Sequence, residues 1–244
     1  MSLQEITPEE KSRLCDRKTS RELVEQRCIW QGRIIALKED LVRVSDEGEP
    51  VIRQYTQHPG AVGVLAVRGQ AGEEEVLLLR QYRHPVSAEL WEIPAGLLDI
   101  EGEDYQVAAA RELAEETDLE AGRWDVLVDL FTSPGGSSES LRVFLAREVS
   151  ETEQTFTRED EEATMVSAWV SLDEAVSHVL AGRIHNPTAL VGILSAAARA
   201  QGTGRIFVPA MLPGCVENPR ISARMCHRVV IFVYFATRKC PNSN

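Results

Sequence analysis

The chain has no apolar run near the roughly 20 residues that a bilayer-spanning helix needs. Its first residues, MSLQEITPEEKSRLC, lack the apolar core of a secretory signal. A cytoplasmic protein with no membrane partner is the expectation. Cysteine is scarce: Cys15, Cys28, Cys215, Cys226 and Cys240 form no C-x-x-C pair and show no zinc-like spacing to histidine, which points to unpaired thiols in a reducing compartment. The five histidines, at 58, 84, 178, 185 and 227, have neither metal spacing nor a triad context and read as structural. Positive charge is also short, with 26 Lys and Arg against 38 Asp and Glu, a net of −12. That balance excludes a general nucleic-acid binder, which needs a positive surface to displace counterions. An anionic small substrate remains compatible, because local arginines or a metal can reverse the field within one cleft. No internal repeat is visible.

What is present is enough apolar material for one substantial core, 43% of 244 residues. Thr7, Pro8 and Glu10 make a helix start with a cap, a proline in the first turn and a glutamate reaching back. Four segments between Leu23 and Tyr55, ELVEQRCIW, GRIIAL, DLVRVS and PVIRQYT, read as strands of a small antiparallel sheet. AVGVLAV (61–67) and EVLLLRQY (75–82) are denser in apolar residues and read as core strands. WDVLVDLF (124–131), LRVFLAR (141–147) and MVSAWV (165–170) follow as further strands. Ser171 with Glu174 predicts a helix to about Ala181, and Asn186 with Pro187 another to about Ala200. Beyond Gly204 the character changes. Residues 205–244 hold six Lys or Arg and one acid, net +5, which leaves −17 for the rest. Their apolar run VVIFVYFA (229–236) fits an edge strand, a partner-binding segment or a poorly ordered extension, and the last is the expectation because nothing upstream prepares a place for it. The organisation read from the chain is therefore an N-terminal arm and small sheet over 1–57, a main domain over 58–204 and a basic extension over 205–244.

The stretch GLLDIEGEDYQVAAARELAEETDL, Gly96 to Leu119, carries the functional signal. Helical spacing puts Glu112, Glu115 and Glu116 on one face and Val107, Ala110, Leu113 and Ala114 largely on the other. Acidic stripes are ordinarily the solvated side of a helix. Here Glu112 and Glu116 are four apart, a like-charge pair that costs a helix roughly 0.2–0.5 kcal/mol and that a bound divalent cation relieves. Glu103 and Asp104 say less, since acids in a first turn suit the helix dipole anyway.

The run resembles the signature of the Nudix hydrolases: Gly, five residues, Glu, seven residues, then Arg-Glu-apolar-any-Glu-Glu-any-Gly-apolar. Glu103, seven intervening residues, then Arg111, Glu112, Leu113, Ala114, Glu115, Glu116, Thr117 and Leu119 fit it. Six residues rather than five separate Gly96 from Glu103, and Asp118 stands where the second glycine belongs. A left-handed turn past the helix end suits glycine and is tolerated by Asp at a cost of order 1 kcal/mol, so Asp118 reads as a stability cost rather than a lost catalytic group. WEIPAG (91–96) before the box and Pro134 fifteen residues past Leu119, in FTSPGGSSES, resemble the ADP-ribose pyrophosphatase branch. Gly136 and Ser138 depart from that branch's usual SPGFSDE.

The resemblance implies an α+β fold, a Nudix-type α/β/α sandwich around a mixed β-sheet, preceded here by the small antiparallel sheet. It implies magnesium or manganese held by Glu112 and Glu116, by Glu115 directly or through water, and by the carbonyl of Ala95. Arg111 is expected to brace the loop by pairing with Glu103 or a neighbouring carboxylate, beside Gly96. The water-activating base is expected in TFTREDEEATM, with Glu161 the first choice and Glu162 the second. Arg53, Arg80, Arg83 and Pro134 are candidates for substrate contact, and Trp30 for an adenine pocket or a dimer interface. A homodimer with a composite site is expected. The implied activity is metal-dependent hydrolysis of ADP-ribose to AMP and ribose 5-phosphate, or of another nucleoside diphosphate derivative such as a nucleotide sugar or dinucleotide. The alternative is a non-catalytic module that senses ADP-ribose; the intact glutamate set favours catalysis.

Overall fold

The computed structural model describes residues 5–158 and 164–201. The extension 205–244 and the base candidates Glu161 and Glu162 lie outside the described residues. Residues 5–18 belong to a different compact unit from the residues that follow them. They carry α1 (Pro8–Ser12), whose capping box forms: Glu10 N–H donates to Thr7 Oγ1 at 3.2 Å, and Thr7 N–H donates to Glu10 Oε2 at 2.9 Å. The helix buries none of its residues.

From Thr19 onward the described residues form the second unit. Its first part is the antiparallel sheet β1 (Glu22–Gln31), β2 (Ala36–Arg43) and β3 (Val51–Gln57), in that order. Three strands stand where four segments read as strands. GRIIAL is mostly the β1–β2 turn, closed by Gly32 N–H to the Ile35 carbonyl at 2.9 Å, and DLVRVS is the far half of β2. The expected boundary at residue 57 is bridged by backbone hydrogen bonds. Thr56 N–H donates to the Gly136 carbonyl, and Ser138 N–H to the Thr56 carbonyl, both at 3.0 Å.

The main sheet comprises β4 (Ala61–Arg68), β5 (Glu75–Arg83), β6 (Ala88–Glu92), β7 (Ala95–Leu97), β8 (Leu119–Phe131), β9 (Ser140–Glu151) and β10 (Val166–Ser171). Its principal order is β10-β5-β4-β9-β8, with β6 paired to β5 and β7 to β4. Only the β4–β9 pairing is parallel among these, so the sheet is mixed. Three helices cover it: α2 (Tyr105–Thr117), α3 (Leu172–Leu180) and α4 (Pro187–Ala200). The cap residues read from the sequence are in place, Ser171 accepting from Glu174 N–H and Asn186 from Ala189 N–H.

Alternation along β4 divides the core into two layers. Val62, Val64 and Ala66 pack toward Ala108, Ala109 and Leu113 of α2, while Leu65 and Val67 join the cluster of Ala175 and Val179 of α3 and Ala189 and Ile193 of α4. A strand buried on both faces reads as the continuous apolar run seen in AVGVLAV. Each of these large aliphatic side chains contributes about 1.5–3 kcal/mol by leaving water. The result is the α/β/α sandwich, with helices on both sides of a mixed sheet. Among the described residues no helix is long and apolar enough to cross a membrane.

Candidate active site

Helix α2 starts because Asp104, in extended conformation, accepts from the N–H groups of Gln106 (2.8 Å) and Val107 (3.4 Å). It ends at Asp118, whose φ of 55° is left-handed. Between these caps the buried residues are Ala108, Ala109, Leu113 and Glu116, and Val107 is 57% exposed. This corrects the expected apolar face of Val107, Ala110, Leu113 and Ala114. Two alanines let the helix lie close to the sheet, and that orientation turns the acidic side toward the protein. Glu116 is only 9% exposed, and Glu112 is half-buried.

A buried carboxylate is costly unless hydrogen-bonded. Glu116 Oε2 accepts from the Ala95 N–H at 3.0 Å, which ties the helix to the start of β7. Glu112 lies so near the next residue that a Cβ at Gly96 would overlap its carboxyl group. Gly96 is thus required by close approach. Arg111 gathers the other acids: its Nε and Nη2 donate to the two oxygens of Glu103 at 3.2 Å each, and its Nη1 to Glu112 at 2.6 Å and to Glu115 at 3.1 Å. The Glu103 hydrogen bonds, with smaller contributions from Glu112, raise the guanidinium pKa above its already high value. Arg111 stays a cation at every relevant pH.

The oxygens of Glu112, Glu115 and Glu116, with the Ala95 carbonyl one residue before Gly96, are hard donors that fit magnesium or manganese better than a thiophilic metal. With Arg111 engaging Glu112 and Glu115, no three His, Cys, Asp or Glu side chains among the described residues converge into a ready cage. The donor chemistry fits a divalent ion, while the present side-chain arrangement is that of an arginine-neutralised cluster.

The other candidates divide. Arg53 and Pro134 line one cavity of about 240 Å³ with Gln54, Tyr55 and the loop Gly135–Ser138. That cavity exists because β3 and the SPGGSS loop are hydrogen-bonded through Thr56. Arg83 and Trp30 are elsewhere. Arg83 holds the buried Glu92 in a two-pronged pair, Nε to Oε1 at 2.9 Å and Nη2 to Oε2 at 2.7 Å. Trp30 is 57% exposed on β1, its ring against Gly32. Arg80 lies over the Trp91 ring, 5.7 Å from its centroid. His58 is tied into the backbone, Nδ1 accepting from Gly60 N–H at 3.1 Å.

Two features escaped the sequence reading. Glu92 sits inside the WEIPAG motif, and its burial with Arg83 had no local signal. Asp118 does more than end the helix: Phe156 N–H donates to its Oδ1 at 2.9 Å and Arg158 Nη2 to its Oδ2 at 2.6 Å. The Phe156 N–H and then Arg158 hold its carboxyl below the usual carboxylate range.

A carboxylate-rich helix docked on a glycine-bearing strand, within an α/β/α sandwich, defines a class that comparison with known proteins identifies. The NUDIX domain model matches residues 57–189, and the chain belongs to the Nudix family as a Nudix hydrolase. It is 42% identical over 184 residues to the ADP-ribose pyrophosphatase of Mycobacterium tuberculosis, covering 74% of this chain and 85% of that one. It is 34% identical over 166 residues to the methanol dehydrogenase activator of Bacillus methanolicus, covering 68% and 86%. A solved ADP compounds hydrolase shares the fold, with a TM-score of 0.62 at 18% identity over 77% of this chain and 98% of that one.

Proposed function

We propose that this Nudix hydrolase cleaves the pyrophosphate bond of ADP-ribose, adding water to give AMP and ribose 5-phosphate. The observation that carries the reading is the placement of Glu112 and Glu116 against the Ala95–Gly96 backbone, which brings carboxylate oxygens and a main-chain segment to one point. The 42% identity to an ADP-ribose pyrophosphatase supports the choice of substrate. Glu112, Glu115, Glu116 and the Ala95 carbonyl would hold a magnesium or manganese ion. Such an ion would supply charge neutralisation for the diphosphate and polarisation of the attacking water.

The chain's own residues do the rest. Arg111, fixed by Glu103, holds Glu112 and Glu115 in register on the helix face. The Ala95 N–H orients the Glu116 carboxylate by occupying one of its oxygens. Glu161, or Glu162 in second place, is assigned from sequence alone as the base that takes a proton from the attacking water. Arg53 and the Pro134 loop offer a cationic, backbone-lined recess suited to a phosphorylated substrate. An intact carboxylate set favours turnover over sensing, since a sensor needs no such cluster.

The test is to incubate the chain with ADP-ribose and magnesium or manganese and separate the products. Equimolar AMP and ribose 5-phosphate are expected, with slower cleavage of NADH and nucleotide sugars. Faster turnover of one of those would reassign the substrate, and no turnover of any would end the enzymatic reading.

The homodimer belongs to the same proposal. Leu23, Val24, Ile29, Trp30 and Ile52 expose apolar side chains on β1 and β3. Exposed apolar side chains on these strands suit burial against a second copy of the chain. Trp30→Asp is expected to shift the sedimentation profile from dimer to monomer; a wild-type chain that sediments as a monomer would refute the dimer.

A further inference from the structure

The residue that breaks the Nudix pattern, Asp118, is the hub of a connection of which its carboxylate makes two bonds that a glycine there cannot make. Its backbone carbonyl accepts from Thr152 N–H at 2.9 Å, its Oδ1 from Phe156 N–H, and its Oδ2 from Arg158. Arg158 closes the circuit by donating from Nε to the carbonyl of Glu116 at 2.9 Å. The end of α2 that carries Glu116 is thereby joined at four points to residues 152–158, the chain that leaves β9. A cap role alone would need none of this. Glycine takes the left-handed conformation without steric cost, so the carboxylate is what distinguishes aspartate at this place.

We propose that Asp118 is a positioning residue for turnover, acting through Arg158 to fix residues 152–158 against the last turn of α2. The proposal rests on the hydrolase reading above. The Arg158 bond to the Glu116 carbonyl gives the last turn of α2 a partner outside the helix, steadying the turn that presents the Glu116 carboxylate. A bidentate-capable, permanently charged guanidinium suits such an anchor better than lysine.

The experiment measures kcat and KM for ADP-ribose with magnesium in the wild-type chain, Asp118→Gly, Asp118→Asn, Arg158→Ala and the Asp118→Gly/Arg158→Ala pair. It adds hydrogen exchange at the Phe156 amide. Asp118→Gly and Arg158→Ala are each expected to lower kcat about 10-fold with KM within about 2-fold of wild type, the loss falling on orientation rather than binding. The pair is expected to lose no more than either single change, because both remove one connection. Asp118→Asn, which keeps an acceptor for Phe156 N–H, is expected to retain intermediate kcat. Phe156 exchange is expected to accelerate in Asp118→Gly. Unchanged kcat in Asp118→Gly, or losses that multiply in the pair, would overturn the proposal. Failure of the hydrolase reading shows separately, as a wild-type chain that turns over no ADP-ribose, and would take the positioning role with it.

Discussion

Helices α2 and α4 lie on opposite sides of β4 and bury residues at nearly the same spacing. In α4 the buried set is Thr188, Ala189, Gly192, Ile193 and Ala196; in α2 it is Ala108, Ala109, Leu113 and Glu116, with half-buried Glu112 at the place that corresponds to Gly192. Leu113 thus answers to Ile193, Glu112 to Gly192 and Glu116 to Ala196. One helix uses the last turns of its buried face to approach the sheet closely, and the other uses them to hold carboxylates against it. The difference lies in the strands beneath. On the α4 side Ile93, Val143 and Leu65 offer only apolar atoms to Gly192. On the α2 side the Ala95 N–H, the bare backbone of Gly96 and Arg111 supply donors and space. Burial geometry is shared, and polar satisfaction separates the scaffold helix from the one that carries the candidate site.

The largest test of that contrast is Glu116→Gln. The volume is conserved and the amide oxygen can still accept from Ala95 N–H, so the thermal midpoint is expected to stay within about 2 °C of wild type. Turnover of ADP-ribose is expected to fall about 1000-fold, close to 4 kcal/mol in the barrier, because the charge proposed to hold the metal would be lost. Near-normal rates would remove Glu116 from the site and make α2 a second scaffold helix.

Gly96→Ala probes the space rather than the charge. Its Cβ would overlap the Glu112 carboxyl group, so the Glu112 side chain must swing away from β7. A fall in kcat of about 10- to 100-fold is expected, in keeping with the sensitivity of catalysis to small misplacements. Wild-type kinetics in this variant would show that the close approach is incidental.

The two helices also differ in how much of them could be read from the chain. For α4, Asn186 and Pro187 mark the start, and the run of apolar residues that follows faces an apolar layer, so the local pattern and the tertiary structure agree. For α2 the end at Asp118 and the Glu-Arg-Glu spacing are equally plain, but Asp104, expected in the first turn, is the N-cap, and the buried face is not the expected one. Val107 looks like a core residue and is exposed, while Ala108 and Ala109 carry little hydrophobic signal and mark the contact with the sheet. The burial of Glu116 depends on an N–H 21 residues away, and the pairing of Asp118 on groups 38 and 40 residues away. The pairing of Arg83 with Glu92 is likewise not local: on the neighbouring strands β5 and β6 Arg83 stands opposite Ala88 and Glu92 opposite Leu79, and it is the long side chains that meet. Short β6 and β7 left little periodicity to find. Motif spacing singled out Arg111 and the three glutamates of α2 as candidates, and only the assembled sheet shows what each one touches.

Gly192→Ala is the smallest test and the one most specific to the scaffold side. A Cβ at Gly192 would meet Ile93 Cδ1 at 3.4 Å, Val143 Cγ1 at 3.6 Å and Leu65 Cδ1 at 4.0 Å, ordinary contacts with the ends of side chains. Alanine is favoured over glycine in a helix interior by about 0.8–1 kcal/mol, and the added methyl is buried. The thermal midpoint is therefore expected to rise by about 2–4 °C with ADP-ribose turnover unchanged. The same substitution at Gly96 is expected to act on the rate instead, because its neighbour is the Glu112 carboxyl rather than a methyl group. A Gly192→Ala chain that loses activity would mean that the α4 layer sets the geometry of the α2 layer through β4, and that the division between scaffold helix and site helix does not hold.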